Sequence, residues 1–356
     1  MKKICTIVGA RPQFIKCAPV SRELRKDFHE ILIHTGQHYD KNMSETFFQE
    51  LAIPEPDYNL GIGSANHGEQ TAKMLMAIET ILIDLKPDIV LIYGDTNSTI
   101  AGALAASKLH IPVAHIEAGL RSYNRKMPEE INRIVSDKLS KYLFVPTQTA
   151  VDNLAKEGQT DGVYHVGDVM FDSFLFNLSR IDKEKVLSKF QLTSKGFILA
   201  TVHRPQNTDD PVILKALIST LQDLNELIIF PIHPRTRNLM KKHNIRVRGD
   251  SLHLVDPVSY QEMIVLEKNA RIILTDSGGV QKEAYFAGVP SIVLRGETEW
   301  VELVENGWAT LIGDNFQKLP GLLSSHQKVI PADDKIFGDG NASGKIVAIL
   351  NRIDFD

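Results

Sequence analysis

Short apolar runs alternate with helical intervals along nearly the whole chain, and they do so in two series. The first series reads "ICTIVG", "EILIHTG", "DIVLIYGD", "PVAHIEAG", "YLFVPT" and "VYHVGD". The second reads "GFILATVH", "LIIFPIHP", "LHLVDPV", "RIILTDSG", "PSIVLRG" and "WATLIG". Amphipathic stretches such as 66–85 and 99–109 lie between the runs. Continuous apolar strands separated by helices bury both faces of a sheet, so the pattern predicts parallel α/β sheets with crossover helices. At 356 residues the chain exceeds one ordinary core and fits two such domains. The composition shifts over 167–196, where the charged helical stretch "SRIDKEKVLSKF" separates the series. The expected domains are 1–170 and 171–339, both Rossmann-like and doubly wound. A last helix, at about 340–356, is expected to cross back onto the first domain. Ligands of such folds bind at the carboxyl ends of the strands, which here predicts a cleft between two facing domains.

Several ligand classes are poorly served by this sequence. A formal net charge of −4 leaves no broad basic footprint for nucleic acid, so any anion must be held locally. The two cysteines, Cys5 and Cys17, form no CxxC pair and read as small buried hydrophobes of a reducing compartment. "MKKICTIVGA" passes straight into Arg11-Pro12 and reads as a first strand, not a signal peptide. No apolar stretch approaches a membrane span. The expectation is a cytoplasmic protein without a membrane or nucleic-acid partner. No HExxH-type zinc spacing, Walker motif or GxGxxG fingerprint is present, so neither metal nor cofactor is expected.

Chemistry-bearing residues gather at the strand ends. "ILTDSGGVQKEA" puts Ser277, Gly278 and Gly279 at a strand-to-helix turn, where first-turn N–H groups and the helix dipole favour an anion. A capped tight turn would read the same way. After the first strand, Arg11 and Lys16 lie on an opening helix and form either an anion clamp or a solvated face. Asp95 ends a wholly apolar strand, either capping the next helix or facing a ligand. His115 and Glu117 end the adjacent strand, which brings Asp95 and Glu117 side by side. Glu129 and Glu130 follow Pro128 in a first helical turn, where acids also suit the dipole. Arg133, one turn on, can pair with Glu129 or reach an anion. In the second series His203 and Arg204 follow one strand and His233 and Arg235 the next. Each histidine serves equally as a loop cap. Carboxylates from one domain with His203 and a phosphate-type turn from the other resemble an acid–base site.

Taken in order, "GARPQFIK", "TGQHYD", "GDTNST", "HIEAGLRS", "PEEINR", "VGDVMFD", "TVHRPQN", "PIHP" and "TDSGGVQKEA" resemble the non-hydrolysing UDP-N-acetylglucosamine 2-epimerases. The resemblance covers nearly the whole chain. It implies a two-domain enzyme of the glycosyltransferase B architecture, a UDP-sugar substrate and a homodimer. It also implies that Ser277, Gly278 and Gly279 hold the diphosphate, that Glu283 takes the ribose hydroxyls, and that Arg11 and Lys16 lie near the phosphates and sugar. Asp95, Glu117, Glu129 and His203 match the positions implicated in chemistry. The reaction implied removes the C2 proton as UDP leaves C1, and the 2-acetamidoglucal then takes UDP back with a proton on its other face. Facing carboxylates with separated pKa values suit such work.

Some strings depart from the best-known members. This chain reads Arg11-Pro12-Gln13-Phe14 for "RPEA" and Thr298-Glu299-Trp300 for "TER", with Met263 where an aromatic can stack near uracil. "RPQFIK", "HYDKNMS" and "GETEWVE" look more like a subgroup acting on UDP-2,3-diacetamido-2,3-dideoxyglucuronic acid. Its extra carboxylate would find a counter-ion in Arg121, Arg125 or Lys126. Gln37 and His38 match a pair through which some members bind a second substrate molecule, but Glu69 replaces the arginine expected before Gln70-Thr71. A glycosyltransferase, a hydrolysing epimerase and a nucleotide-sugar sensor are the competing readings. The acidic rim argues against the first and the last. Solvent deuterium entering C2 of a product still carrying UDP separates the second.

Overall fold

A computed structural model describes residues 1–37, 48, 51–325 and 335–355. The chain divides into two compact units, the first comprising 1–175 with 335–356 and the second 176–334.

In the first unit β1 (Lys3–Val8), α1 (Arg11–Asp27), β2 (His29–His34) and β3 (Tyr58–Asn59) are followed by α2 (His67–Leu85) and β4 (Ile89–Tyr93). Then come α3 (Asn97–Lys108), β5 (Val113–Ile116), α4 (Pro128–Leu139), β6 (Tyr142–Val145), α5 (Gln148–Lys156), β7 (Val163–His165) and α6 (Val169–Leu178). The strands form one parallel sheet in the order β3-β2-β1-β4-β5-β6-β7. Its neighbours step one way from β1 and the other way from β4, so the topological switch point lies between those two strands. All of Ile89–Tyr93 is buried, as a central parallel strand requires. A cluster including Ile7, Ile33, Met74, Ile78, Leu82 and Ile92 fills one face. Each such side chain contributes roughly 1.5–3 kcal/mol of apolar burial.

The second unit holds α7 (Lys183–Lys189), β8 (Ile198–Thr201), α8 (Pro205–Thr208), α9 (Pro211–Asp223), β9 (Ile228–Pro231), α10 (Pro234–Lys242) and β10 (Leu252–Val255). It continues through α11 (Tyr260–Asn269), β11 (Ile272–Thr275), α12 (Gly278–Ala287), β12 (Ser291–Val293), α13 (Val301–Glu305), β13 (Ala309–Leu311) and α14 (Leu319–Ser325). Its parallel sheet runs β10-β9-β8-β11-β12-β13, with the switch point between β8 and β11. Both sheets are therefore doubly wound, and every strand read from the sequence is present. β3, short and exposed, gave no apolar run and was not expected.

The last helix, α15 (Ala342–Leu350), belongs to the first unit and packs on α1. Its start is capped by Asp172 of α6, which accepts from the Ala342 and Ser343 N–H groups at 3.0 and 2.7 Å and from the Ser343 hydroxyl at 2.5 Å. Burial pushes the Asp172 carboxyl above its ordinary value despite these bonds. Gly167 is in the left-handed region at φ 94°, and a Cβ there would sit 2.8 Å from the Phe337 carbonyl. The glycine of "VGDVMFD" thus lets the returning segment close against the sheet. Among the described residues no helix is long and apolar enough to cross a membrane.

Candidate active site

The turn after β4 is the centre of the first unit's site. Gly94 takes φ 60°, and its missing Cβ leaves room for the Lys16 ammonium and the Glu117 carboxylate, 3.2 and 3.3 Å from where that carbon would be. Lys16, inside α1, and Glu117, just past β5, form an ion pair with side chains only 9% and 7% exposed. Glu117 itself holds φ 69°, a conformation that costs a non-glycine residue about 1–3 kcal/mol and that clusters at functional sites. It is fixed by the Phe144 carbonyl of β6, which accepts from Glu117 and Ala118 N–H at 3.0 and 3.2 Å. Lys16 is thus committed to Glu117, while Arg11 is exposed at the start of α1. Of the two residues expected to form a clamp, Lys16 is tied from α1 to the end of β5. The amides of Gly9 and Ala10 are also taken, both donating to Gln13 Oε1 at 2.8 and 3.0 Å. Gln13 Nε2 donates in turn to the Tyr93 carbonyl at 2.8 Å, locking the β1 turn to the β4 turn across the switch point.

Asp95 does not cap α3, whose N-cap is Thr96. Its carboxylate, 29% exposed, pairs with Arg133 of α4. The other Arg133 nitrogen binds Glu130 at 2.7 Å, so the partner one helical turn away is Glu130 and not Glu129. Glu129 lies exposed in the same first turn. Burial alone would raise the Glu130 carboxyl, but the amide and hydroxyl of Ser122, the Arg133 charge and the Tyr123 amide bring it below its ordinary value. Burial likewise opposes the Arg133 charge, and Asp95 and Glu130 more than restore it. Asp95 and Glu117 end neighbouring strands whose register pairs Tyr93 with Ile116. Each is therefore an anion held by a buried cation, side by side at one rim.

Beneath this rim lies a buried network. His115 Nδ1 faces Asp137 Oδ1 at 2.7 Å and its Nε2 faces the Gly94 carbonyl at 2.7 Å. Arg121 donates to Asp137 at 2.7 Å, to both Glu157 oxygens at 2.7 and 2.9 Å, and to the Leu120 carbonyl at 2.7 Å. Sequence reading offered Arg121 as a substrate counter-ion, but the structure spends it inside the protein. Arg125 and Lys126 in the same loop remain exposed. Gln37 accepts from the Ser98 amide and hydroxyl at 3.1 and 2.7 Å, while His38 lies outside the described residues. Glu69 pairs with Lys73 on the surface of α2.

In the second unit Ser277 caps α12, accepting from the Val280 N–H at 3.4 Å. The Gly278 and Gly279 amides then open a ten-residue helix. A Cβ at Gly278 would sit 2.2 Å from Glu299 Oε1, whose carboxylate also accepts from Arg295 at 3.1 Å. Sequence reading did not place Glu299 at this turn. Asp276, passed over as the end of an apolar run, is the hub joining β11 to β8. It is fully buried and accepts from the His203 and Arg204 amides at 3.1 and 3.0 Å and from Asn207 at 3.0 Å. The His203 ring contacts it through Nδ1 at 3.2 Å, leaving Nε2 turned from this bond. Burial works against the Asp276 charge, but His203, Asn207 and the Arg204 amide lower its pKa overall. His203, bound to the Asp276 carboxylate, and Ser277, the next residue in the chain, thus flank Asp276 at the switch point. His233, exposed, caps α10 by accepting from the Arg235 N–H at 3.2 Å, and its ring centroid lies 6.1 Å from that of His203.

Glu283 is buried on α12, not exposed. Facing it from α11 is Glu267, fully buried, with no donor to either carboxylate oxygen among the described residues. Burial, and then the Glu283 charge, push Glu267 well above its ordinary value. With burial and a neighbouring carboxylate both opposing its charge, Glu267 favours the neutral acid. Among the described residues no group of three or more His, Cys, Asp and Glu is placed to hold a metal ion.

Two doubly wound parallel sheets, each with polar groups converging at its switch point, define an α/β enzyme of glycosyltransferase B type. The family model for UDP-N-acetylglucosamine 2-epimerase matches residues 22–351, and the chain belongs to that family. It is 56% identical over 99% of its length to the full length of a UDP-N-acetylglucosamine 2-epimerase homolog of Methanococcus maripaludis. It is 48% identical, over 99% of its length and all of the relative, to UDP-2,3-diacetamido-2,3-dideoxy-D-glucuronate 2-epimerase of Pseudomonas aeruginosa. The solved UDP-GlcNAc 2-epimerase of Methanocaldococcus jannaschii, in complex with UDP-GlcNAc and UDP, superposes with a TM-score of 0.87 at 44% identity, covering 98% of this chain and 99% of that one. The protein is accordingly an epimerase.

Proposed function

We propose that this epimerase interconverts UDP-N-acetylglucosamine and UDP-N-acetylmannosamine without hydrolysis, by eliminating UDP and adding it back. The substrate is one nucleotide sugar. Its diphosphate would be held by the Ser277–Gly278–Gly279 amides, with Arg11 nearby, and its ribose hydroxyls by Glu283. The sugar C2 would be met by Asp95, Glu117 and Glu129. The observation that carries this reading is the pairing of Asp95 with Arg133 and of Glu117 with Lys16 at neighbouring strand ends. A weakly acidic C2–H is removed only if its electrons have somewhere to go. They form the C1–C2 double bond as the C1–O bond breaks, and UDP departs with that bonding pair. His203, held through Nδ1, would present Nε2 to the departing phosphate oxygen or to the sugar. In the return step UDP oxygen attacks C1 and a proton reaches C2 from the opposite face. Carboxylates in unlike settings, Asp95 open and Glu117 buried, suit opposite proton-transfer roles.

A second reading is favoured by the diacetamidoglucuronate relative at 48% identity. That substrate's additional carboxylate would call for a free cation, and Arg125 and Lys126 are exposed in the loop before α4. Parallel measurement of kcat/KM on the two nucleotide sugars decides between them. A preference for UDP-N-acetylglucosamine supports the first reading, and turnover of the diacetamido acid alone replaces it with the second.

A further inference from the structure

His115 is wholly buried, and both of its ring nitrogens face acceptors. The Gly94 carbonyl, 2.7 Å from Nε2, can only accept. Asp137 Oδ1, 2.7 Å from Nδ1, belongs to a carboxylate that also accepts from Arg121 at 2.7 Å and from the Gly119 amide at 3.2 Å through its other oxygen. Neutral imidazole carries one N–H and would leave one of these contacts as two lone pairs face to face. Arg121 and the Gly119 amide already donate to that carboxylate, and a neighbouring guanidinium favours its charged form. We infer that His115 is an imidazolium and a positioning residue: its Nε2–H holds the Gly94 carbonyl and so fixes the turn that presents Asp95.

The local charge balance agrees. Asp137 from α4 and Glu157 from the end of α5 carry two negative charges, and Arg121 supplies one positive charge. A charged His115 closes the cluster to neutrality, whereas a neutral ring leaves one net negative charge between the buried Asp137 and the part-exposed Glu157. Of the other charged groups at this turn, Lys16 and Glu117 on the far side of Gly94 neutralise one another, and Asp95 is paired with Arg133, which also holds Glu130. The backbone closes the clamp, because the Gly94 N–H donates to the Ile116 carbonyl at 3.0 Å. With both its amide and its carbonyl held, Gly94 keeps its left-handed φ of 60° and the following Asp95 has one position. Since proton transfer depends on sub-ångström placement, loss of this anchor can cost up to roughly 10²-fold in rate.

Neutron diffraction from deuterated crystals grown at about pH 8, well above the ordinary imidazole pKa, reads the protons directly. Deuterons on both Nδ1 and Nε2 of His115 are expected, and a bare ring nitrogen would overturn the inference whether or not any variant folds. The His115→Gln enzyme should then lose roughly 10- to 10²-fold in kcat for UDP-N-acetylglucosamine epimerisation, with KM within about threefold. Its UDP affinity by calorimetry should be unchanged. Unaltered kcat and KM in that variant would equally overturn the positioning role. The kinetic arm rests on the proposed function and the neutron arm does not, so failure of one is told from failure of the other.

Discussion

The Lys16 ammonium and the Glu117 carboxylate, brought together from the first helix and the fifth strand, form a buried ion pair in the space that Gly94 leaves open. Removing either partner strands a charge in the interior. Lys16→Met and Glu117→Gln are each expected to lower unfolding free energy by about 3–5 kcal/mol. The double variant should recover part of that loss, because no lone charge remains. Denaturant unfolding of all four proteins measures the coupling, and additive losses would show that the pair is energetically idle. Epimerase turnover should be abolished in each variant.

Arg133 spans Asp95 and Glu130 with two different nitrogens of one planar group. A lysine keeps the charge but cannot hold both carboxylates in a fixed fork. Arg133→Lys should therefore reduce kcat by roughly 10- to 10²-fold while leaving the circular dichroism spectrum and UDP affinity intact. An unchanged kcat would remove Asp95 orientation from the mechanism.

Gly9 and Gly278 predict opposite outcomes for the same substitution. A Cβ at Gly9 would lie 2.0 Å from Thr35 Oγ1 and 2.2 Å from Ser98 Oγ, two short side chains bonded to each other at 2.8 Å. Neither can swing away, so Gly9→Ala should destabilise the fold by about 1–3 kcal/mol or more. The Cβ of Gly278→Ala meets the end of Glu299, a longer side chain able to turn aside. That variant should keep its melting temperature yet bind UDP at least about tenfold more weakly, since a methyl group then crowds the anion turn. Calorimetry with UDP and thermal unfolding of both variants test the contrast.

Glu267 makes a pH prediction. Folding raises its pKa, so the folded chain binds more protons than the unfolded one between the ordinary carboxylate range and the raised value. Its contribution is fully present below about pH 4 and is lost as pH rises through the raised value. Glutamine in its place has no charge to desolvate and no proton to lose. Glu267→Gln should thus melt higher than the parent protein at pH 7–8, with the difference closing toward about pH 4. A variant less stable at neutral pH would contradict a neutral Glu267.

The fold was legible because parallel strands buried on both faces write continuous apolar runs, as Ile89–Tyr93 and Ile272–Thr275 do. The strand ends were legible for the same reason, since polar groups such as Asp95, Glu117 and Ser277 stand out where the apolar runs stop. Partner choice was not legible. Glu129 and Glu130 look alike in sequence, yet helical phase buries Glu130 against Arg133 and leaves Glu129 in solvent. Asp137 and Glu157 lie 22 and 42 positions beyond His115 in a chain of 356, and only the packing of α4 and α5 on the sheet brings their charges beneath the rim. Asp276 showed no signal beyond its position, because its partners His203 and Asn207 come from the segment just after β8, 73 and 69 residues earlier. The neutrality of Glu267 likewise depends on a neighbour in another helix.

Reversible loss of the C2 proton with UDP retained is tested most directly by proton NMR of UDP-N-acetylglucosamine incubated with the protein in deuterium oxide. Deuterium should enter C2 of the manno product and, as equilibrium is approached, of the remaining starting nucleotide, both still bearing UDP. Release of UDP with free N-acetylmannosamine, or epimerisation that leaves C2 protium in place, would contradict it.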